Sequence, residues 1–400
     1  MPRLDYHTAG ESHGPGLTIL VQGLPAGVAV DLDFINAELR RRQGGYGRGG
    51  RQKIETDVVT FTAGVRRGKT IGAPIVMTLA NKDSRLDDLE RTPPVYRPRP
   101  GHADLAGSVK WLTTDCRETL ERASARETAS KVAAGALARC LLREALSVEV
   151  FGFLRGAMDA VWAGNVTEEN WRELVAVRDV SDVYCPDESI SEAIRAHIRA
   201  AKENKDTVGG WCEAHVFGCP MGIGSSMDWR DKLDARIAGA VVGIQAFKAV
   251  EIGVGVEAAA RNGSDVHDPI HYDPDRREQP SLGFTRPTNN AGGLEGGMTN
   301  GMPIVVRGTM KPISTLLRGL PSVNLNTKEP EHSQYERSDV CAASAASVVM
   351  ENVVAFEVAR SAVEKFGGDS LLEMSENVAR YLDLARSLPL SPPIETLAEA

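Results

Sequence analysis

The segment ARETASKVAAGALARCLLREA, residues 125–145, carries apolar residues at i, i+3 and i+4 spacing, which predicts a long amphipathic helix. The residues that follow it, 148–153, are rich in Val and Phe and predict a strand. Further helices are predicted over 32–42, 191–203, 231–248, 340–365 and 371–386, and strands over 17–23, 57–62, 74–79, 250–256 and 303–307. Because helices and strands mix without a regular strand–helix–strand alternation, the sequence predicts an α+β fold rather than a doubly wound α/β fold.

The chain has 400 residues, of which 42% are hydrophobic, and this is enough to bury a sizeable core. No Pro- or Ser-rich linker divides the chain, and no internal repeat is visible. We therefore predict one large domain over residues 1–388. A loose tail with three prolines is expected over residues 389–400.

Composition and charge exclude several classes of protein. Six cysteines are scattered through the chain and no apolar leader follows Met1, so a reduced cytoplasmic protein is expected. No apolar run is long enough to span a bilayer, which argues against a membrane protein. The net charge of −8 disfavours a nucleic-acid-binding protein. Between Arg40 and Lys53, however, there are six basic residues and no acidic one, and this local cluster indicates a site for a small anion.

Two short motifs resemble known catalytic loops but lack the expected context. Residues 10–14, GESHG, fit the G-x-S-x-G pattern of a serine hydrolase, which requires a helix directly after it. Here the residues from Gly16 onward predict a strand, so a nucleophilic role for Ser12 is disfavoured. Residues 64–70, GVRRGKT, are one residue short of a phosphate-binding P-loop, and Lys69 is expected to be a solvated turn residue.

Two histidine-containing spacings resemble metal sites. Cys212, His215 and Cys219 lie on a predicted strand, where Cys212 and His215 face opposite sides and do not converge on one ion. His267 and His271 are four residues apart, but a proline between them prevents the helical geometry that such a pair needs. We therefore predict no metal site.

Glycines and arginines dominate residues 40–51, RRRQGGYGRGGR. Arg40, Arg41 and Arg42 end a predicted helix, where cations also complement the helix dipole. Arg48 and Arg51 lie in the glycine loop itself. Glycine permits close approach of a ligand to the backbone, and arginine offers a bidentate fork to phosphate or carboxylate. Binding of single-stranded RNA through RGG units is the alternative, but the units are not repeated and the chain is acidic.

Several charged residues lie at the starts of the two longest predicted helices. Ser124 and Glu127 fit a capping box. Arg122 and Arg126 place cations beside the same helix N-terminus, which is itself suited to an anion. Asp339 precedes the other long helix, where a carboxylate is favoured as a cap. Capping alone therefore explains the serine and the carboxylates, but it does not explain the two arginines.

His13 and His102 lie in loops that are polar and rigid in sequence. His13 precedes a Gly-Pro turn, and His102 follows the segment RPRPG, residues 97–101. A lone histidine is more often structural than catalytic. Such loops can nevertheless aim an imidazole, a group that titrates near neutral pH and suits acid–base catalysis.

Taken together, seven segments resemble the chorismate synthase family in order and spacing. They are AGESHGP at 9–15, RRRQGGYGRGGR at 40–51, RPRPGHAD at 97–104, ERASARETA at 121–129, NNAGGLEGGMTNG at 289–301, MKPISTL at 310–316 and ERSDVCA at 336–342. The resemblance covers nearly the whole chain and is weakest over about 154–206. One such motif is weak evidence, but seven in register are very specific.

The resemblance implies a fold and a reaction. The fold is a β–α sandwich of antiparallel sheets covered by helices, assembled as a homotetramer. The reaction is the anti-1,4-elimination of phosphate from 5-enolpyruvylshikimate 3-phosphate to give chorismate, the last common step of the shikimate pathway for aromatic amino acids. It requires reduced FMN without net redox change, because transient electron donation by the flavin promotes loss of phosphate where the departing hydrogen is not acidic.

The resemblance also implies residue roles. His13 protonates the leaving phosphate, His102 delivers a proton to the reduced flavin, and Asp339 assists proton traffic at flavin N5. Substrate anions are held by Ser12, His13, Arg42, Arg48, Arg51, Arg99, Arg126 and Arg337. The flavin contacts are Arg122, Ala123, Ser124, Gln245, Ala246, Gly296, Lys311, Pro312, Ile313, Ser314, Thr315 and Arg337. Arg42 and Arg48 are also the positions that bind NADPH in members that reduce their own flavin.

Two features depart from the family pattern. Ala123 stands where many members have serine, which removes one hydroxyl contact. The segment 81–96 is shorter than in many relatives, so the lid over the site is expected to differ. The length of the chain leaves no obvious reductase segment, which favours a separate flavin reductase as partner.

Overall fold

The computed structural model describes residues 4–49, 56–336 and 339–390. Arg51, Arg337 and the predicted tail from residue 391 onward lie outside the described residues. The strands are β1 Asp5–Ala9, β2 Gly16–Gln22, β3 Thr60–Ala63, β4 Val65–Arg66, β5 Lys69–Thr70, β6 Ile75–Ala80, β7 Glu149–Ala157, β8 Ala160–Val161, β9 Gly210–Phe217, β10 Phe247–Ile252, β11 His271–Tyr272, β12 Phe284–Thr285, β13 Leu294–Glu295, β14 Met298–Thr299, β15 Ile304–Met310, β16 Pro321–Val323 and β17 Pro330–His332. The helices are α1 Leu32–Gln43, α2 Asp104–Trp111, α3 Arg117–Arg122, α4 Thr128–Leu146, α5 Trp171–Val180, α6 Glu188–Glu203, α7 Leu233–Val242, α8 Gly263–Val266, α9 Ala343–Phe366 and α10 Leu371–Arg386.

Two antiparallel sheets organise the fold. One has four strands in the order β1-β2-β6-β3, and the other has five in the order β10-β15-β9-β7-β8. In the first sheet, Ile19 of β2 pairs with Met77 of β6 and both side chains are buried. Every neighbouring pair in both sheets is antiparallel. The α+β class predicted from the sequence is thus confirmed.

A helical layer lies between the two sheets. Helix α4 contacts β1 and β2 of one sheet and β7 of the other, while α9 packs along α4 and on β7, β9 and β15. Both helices are buried nearly all round, which suits their many alanine, serine and valine residues because small side chains let helices approach closely. The two sheets therefore share this helical layer.

The predicted elements are present, and the differences lie at their boundaries. The helix predicted over 125–145 begins as a 3-10 turn, Ala125–Glu127, before α4. The helix predicted from 340 begins only at Ala343 of α9, and the N–H groups of Val340 and Cys341 ahead of it donate to the carbonyl of Gly47. The helix predicted over 231–248 was too long, since α7 ends at Val242 and β10 begins at Phe247 to pair with β15.

Two other expectations concern membranes and cysteines. None of the helices in the described part of the chain combines the length and apolar character that crossing a bilayer requires. All six cysteines lie within the described residues, and each is buried with a free thiol. The absence of a disulfide framework agrees with the scattered spacing of the cysteines in the sequence.

The close contact between α4 and α9 gives a stability prediction. A Cβ added at Gly135 would overlap the backbone carbonyl of Asn352 on α9. We expect Gly135→Ala to lower the free energy of unfolding by about 1–3 kcal/mol, the usual cost of overpacking, although alanine favours helix. Gly239 of α7 is the matched control, because a Cβ there would meet open space. Gly239→Ala should instead stabilise by about 0.5–1 kcal/mol in the same urea titration. Equal effects of the two changes would contradict the packing argument.

Candidate functional site

Two buried arginines, Arg42 and Arg126, and the partly buried Arg48 lie where the end of α1, the start of α4 and the loop after residue 56 meet. Arg42 and Arg126 share the carboxylate of Asp57, with Nη1 atoms 3.3 and 2.6 Å from its two oxygens. Arg48 is paired with Asp339 at 2.8 Å. Burial lowers the pKa of Arg42 to about 10, with the nearby Arg48 and Arg126 cations adding to the shift against the opposing charge of Asp57. Crowded buried cations of this kind favour an anionic ligand.

The hydrogen bonds of this cluster leave some donors open. The guanidinium of Arg42 already donates to protein groups, because its Nε bonds to Thr128 and its Nη2 bonds to the carbonyl of Ala125. Among the described residues, Nη2 of Arg126 and Nε of Arg48 are buried without a hydrogen-bond partner. Buried donors are normally satisfied, so these two atoms are candidates for contacting a bound ligand.

The loop before β2 carries Ser12 and His13 to the same place. The amide of Asn81 donates to the carbonyls of Glu11 and Gly14 at 3.0 and 2.8 Å, while its oxygen accepts from Arg126 at 2.8 Å. Asn81 therefore ties the loop to the arginine cluster. Ser12 is nearly fully buried and its hydroxyl accepts from Ser124 at 3.1 Å, which agrees with a binding rather than a nucleophilic role.

His13 is held by a buried carboxylate of α3. Its Nδ1 lies 2.9 and 3.0 Å from the two oxygens of Glu121, and its backbone N–H donates to the same group at 2.9 Å. Because a carboxylate only accepts, Nδ1 carries the hydrogen and Nε2 is left as the reactive atom. Burial opposes the charge of Glu121, but the bonds from His13 and the nearby Arg117 outweigh it and lower the pKa of this carboxyl.

His102 has a similar arrangement at the start of α2. Its Nδ1 contacts Oδ1 of Asp104, and the same carboxylate takes two bonds from the Arg99 guanidinium at 2.8 and 3.0 Å. Burial would raise the pKa of Asp104, yet His102 and Arg99 lower it well below its usual range. Arg99 also donates to the Thr315 hydroxyl at 3.0 Å, which joins this loop to the segment 311–315.

A cavity of about 430 Å³ lies between the Arg48–Asp339 pair and the segment 311–315. Arg48, Asp339 and Thr315 line its inner wall. The remaining lining residues come from the loop beside Arg48, from the end of α6 and from neighbouring loops: Tyr46, Gly47, Gly49, Ile198, Arg199, Lys202, Lys205, Asp206, Thr207, Leu317, Tyr335 and Val340. Gly47 and Gly49 of the glycine loop thus line the cavity, and the approach of a ligand to this backbone stays a prediction.

Several of the predicted flavin contacts are linked by hydrogen bonds, whereas Gly296 lies apart from them. Arg122 donates to Thr8, Thr8 donates to Glu127, and Gln245 donates to the other oxygen of Glu127. Ala246 accepts from the Lys311 backbone at 2.9 Å. Gly296 lies apart, at the turn between β13 and β14, where Ser226 and Met298 supply the atoms nearest to its missing Cβ.

Two local expectations from the sequence were wrong. The capping box at Ser124 is incomplete, because the hydroxyl accepts from the N–H of Arg126 and Glu127 is engaged with Thr8 and Gln245 instead. Asp339 does not cap the last long helix, since it accepts from the N–H of Gly49 at 2.6 Å and from Arg48. Both carboxylates therefore belong to the candidate site.

GESHG, one of the four motifs set aside as a catalytic loop or metal site, contributes Ser12 and His13 to the candidate site. A strand, β2, follows the GESHG loop, and Lys69 is an exposed strand residue. His215 is buried with its Nε2 2.7 Å from Glu213 on the same strand, and His271 is exposed. Among the described residues, no group of three His, Cys, Asp or Glu side chains has the geometry of a metal site.

Both the sequence and the fold match those of known proteins. The sequence model of the chorismate synthase family matches residues 4–363. The chain belongs to the chorismate synthase family. It is 50% identical over 396 residues to the chorismate synthase of Desulforamulus reducens, covering 96% of this chain and all of that protein. It is also 50% identical to the chorismate synthase of Enterococcus faecalis, covering 94% of this chain and 97% of that one.

A solved structure supports the same membership. The crystal structure of a chorismate synthase superposes with a TM-score of 0.78 at 35% identity, covering 97% of this chain and all of that one. Chorismate synthases are carbon–oxygen lyases of the shikimate pathway. Their conversion of 5-enolpyruvylshikimate 3-phosphate to chorismate removes a phosphate from a substrate that also carries two carboxylates.

Sequence reasoning missed the partners that orient the chorismate synthase motifs. Asp57, Asn81, Asp104 and Glu121 are all buried, and each holds a predicted site residue in place. Asp104 and Glu121 lie inside motifs that were recognised, so a search of those motifs for carboxylates able to hold the histidines would have included both. Asp57 is the first residue of a predicted strand and carries no local signal.

Proposed function

We propose that the residues around this cavity carry out the chorismate synthase reaction in the cytoplasm, with residues 1–388 acting as one catalytic domain. The observation that carries the proposal is a set of buried arginines joined by hydrogen bonds to the loops of two imidazoles, each imidazole held at Nδ1 by a buried carboxylate. A substrate with one phosphate and two carboxylates needs such a surplus of cations, and a leaving phosphate needs a proton donor.

Binding of the substrate anions falls to the arginines. Arg126 and Arg48 offer the open donors described above, Arg42 adds charge behind them, and Arg99 reaches the site beside His102. Arg51 and Arg337 join them by family resemblance, although they lie outside the described residues. Ser12 is placed beside Ser124 to contribute a hydroxyl.

His13 is proposed as the acid of the elimination. With Nδ1 committed to Glu121, a proton at Nε2 is available to the phosphate oxygen as the carbon–oxygen bond breaks, so that hydrogen phosphate leaves. Glu121 stabilises the imidazolium that must exist before this transfer, because an opposite charge in contact favours the charged form.

The residues present fit a reduced FMN. The buried Oε1 of Gln245 has no partner among the described residues and suits a ring N–H. Burial lowers the pKa of Lys311, whose Nζ lies beside the His102 loop near Gly101. The phosphate of FMN would favour the charged form of this lysine. Reduced FMN supplies transient electron donation to the substrate. The flavin would be held by Arg122, Ala123, Ser124, Gln245, Ala246, Gly296, Arg337 and residues 311–315. His102 would hold a proton at its imidazole, and Asp339 would hold a negative charge beside Arg48.

The fuller biological setting is proposed from the family. A separate reductase supplies the reduced flavin, with Arg42 and Arg48 as the positions for NADPH in the self-reducing alternative. Assembly as a homotetramer is supported by exposed apolar side chains on α2 and directly after it, where Val109, Trp111 and Leu112 are each more than half exposed.

Anaerobic turnover of 5-enolpyruvylshikimate 3-phosphate with dithionite-reduced FMN tests the proposal. Chorismate and phosphate should appear in equal amounts, and neither should form with oxidised FMN. If folded protein that binds FMN releases no phosphate, the proposed activity is wrong, and other phosphorylated acids become the ligands to screen.

Arg48→Ala is expected to weaken binding of the substrate by about 2–5 kcal/mol, because a desolvated charge contact is lost. The measurement is the substrate dissociation constant by calorimetry at fixed ionic strength. Arg199→Ala is the matched control, since Arg199 lines the same cavity but is 53% exposed and paired with Glu192. An unchanged dissociation constant for Arg48→Ala would remove this arginine from the site.

A further inference from the structure

The segment after β6 lies directly against His13. The backbone N–H groups of Arg85 and Leu86 donate to the carbonyl of His13 at 2.9 and 3.0 Å. Thr92 donates to the carbonyl of Arg85 at 2.9 Å, which closes the segment into a compact loop. This loop lies in the segment 81–96, the expected lid over the site, but no motif there indicated a contact with the imidazole.

Two opposite charges of this loop face the reactive nitrogen of His13. Nη2 of Arg85 lies 3.4 Å from Nε2, and Oδ2 of Asp83 lies 3.8 Å from the same atom. Arg85 and Asp83 are themselves paired at 3.3 Å. On the other side of the ring, Glu121 occupies Nδ1, and Arg117 stands behind that carboxylate at 3.5 Å.

The two contacts at Nε2 suit different protonation states of the ring. A guanidinium only donates hydrogen bonds, so Arg85 can bond to Nε2 only while that nitrogen carries a lone pair. Once Nε2 is protonated, the imidazolium repels Arg85 and attracts Asp83. Protonation of His13 therefore releases the Arg85 guanidinium from its nitrogen partner.

We propose that Arg85 is a further phosphate-binding residue of this site, which exchanges Nε2 of His13 for the substrate phosphate when His13 gains its proton. The inference rests on the proposed function, because it assigns the leaving phosphate to the Nε2 side of the ring. A phosphate dianion placed there offers Arg85 a bidentate partner and offers Nε2–H an acceptor. Asp83 stays behind as the partner that keeps the proton on the imidazole.

The geometry allows this exchange without refolding of the loop. The Arg85 side chain is 28% exposed, and its Nη1 is anchored on the backbone carbonyl of Arg91 at 3.1 Å. The guanidinium can thus rotate while Nη1 stays bonded to the Arg91 carbonyl. The backbone N–H of Arg85 meanwhile stays bonded to the carbonyl of His13. The loop and the imidazole remain joined through the backbone in both states.

The test compares Arg85→Ala and Asp83→Asn in the pH dependence of kcat/KM. Removing the cation favours protonated His13, so Arg85→Ala should move the alkaline limb to higher pH by about one pH unit. Asp83→Asn should move the limb in the opposite direction. Arg91→Ala is the matched control, because Arg91 belongs to the same loop and contacts Asp83 and Asp88 rather than His13; its profile should match that of the wild type.

A second readout uses inorganic phosphate, the product, as a competitive inhibitor. Arg85→Ala should raise its inhibition constant roughly tenfold or more, while Arg91→Ala leaves it within about twofold. Shifts of the two limbs in the same direction, or inhibition constants equal for Arg85→Ala and Arg91→Ala, would overturn the proposal. Because turnover by the wild-type protein is measured first, failure of the proposed function would show there and is distinguishable from failure of this inference.

Discussion

Replacement of His13 or His102 by alanine is expected to lower turnover by roughly 10²–10⁴-fold, the usual loss when an acid–base group is removed. Both imidazoles are aimed by a buried carboxylate at Nδ1, so each presents one nitrogen in a fixed direction. Such rigid placement is what a proton donor needs, because misplacement by a fraction of an ångström weakens transfer. The measurement is kcat under anaerobic conditions with saturating substrate and reduced FMN.

His271→Ala is the control for the two catalytic variants. His271 lies on the short strand β11, is exposed, and belongs to a motif that was set aside as a metal site. Its removal should leave kcat unchanged. Wild-type turnover by either His13→Ala or His102→Ala would exclude that residue from the mechanism, and a loss confined to KM would reassign it to binding.

The second large effect concerns stability. Asp57→Ala is expected to lower the free energy of unfolding by about 3–5 kcal/mol, because Arg42 and Arg126 would be left as uncompensated buried charges. Asp57 itself is 1% exposed, so solvent cannot replace its carboxylate. Urea unfolding followed by circular dichroism measures the change.

Glu192→Ala provides the comparison for Asp57. Glu192 also pairs with two arginines, Arg195 and Arg199, but it lies on the exposed face of α6. Exposed ion pairs contribute about 0–1 kcal/mol, so its removal should have little effect. If both variants unfold at the same urea concentration, the buried cluster is not held together by Asp57, and its arginines must be compensated elsewhere.

The sequence predicted the secondary structure well where one periodicity runs without interruption. Helix α10 has the predicted bounds, and α1 extends one residue beyond them. The errors occur where the backbone is used by a distant segment, as when the residues from Phe247 pair with β15 instead of continuing α7. Such competition is invisible to a pattern that spans only a few neighbouring residues.

The site was predicted to a similar degree. The motifs supplied the arginines, both histidines and Asp339. Apart from Arg51 and Arg337, which lie outside the described residues, these side chains lie around one cavity or in loops connected to it. Their roles stay predictions. What the motifs lacked was the set of counter-charges, because Glu121 lies 108 residues from His13 and Asp57 lies 69 residues from Arg126.

Two kinds of information can thus be separated in this protein. The sequence by itself determined the α+β class, the family and the chemical types of the site residues, because these depend on local periodicity and on short motifs in a fixed order. Only the tertiary structure set which carboxylate orients each imidazole, which arginines share one counter-charge, and that Arg85 faces His13. Those pairings form when segments far apart in the chain are buried together, and burial is what makes an unpaired charge too costly to leave alone.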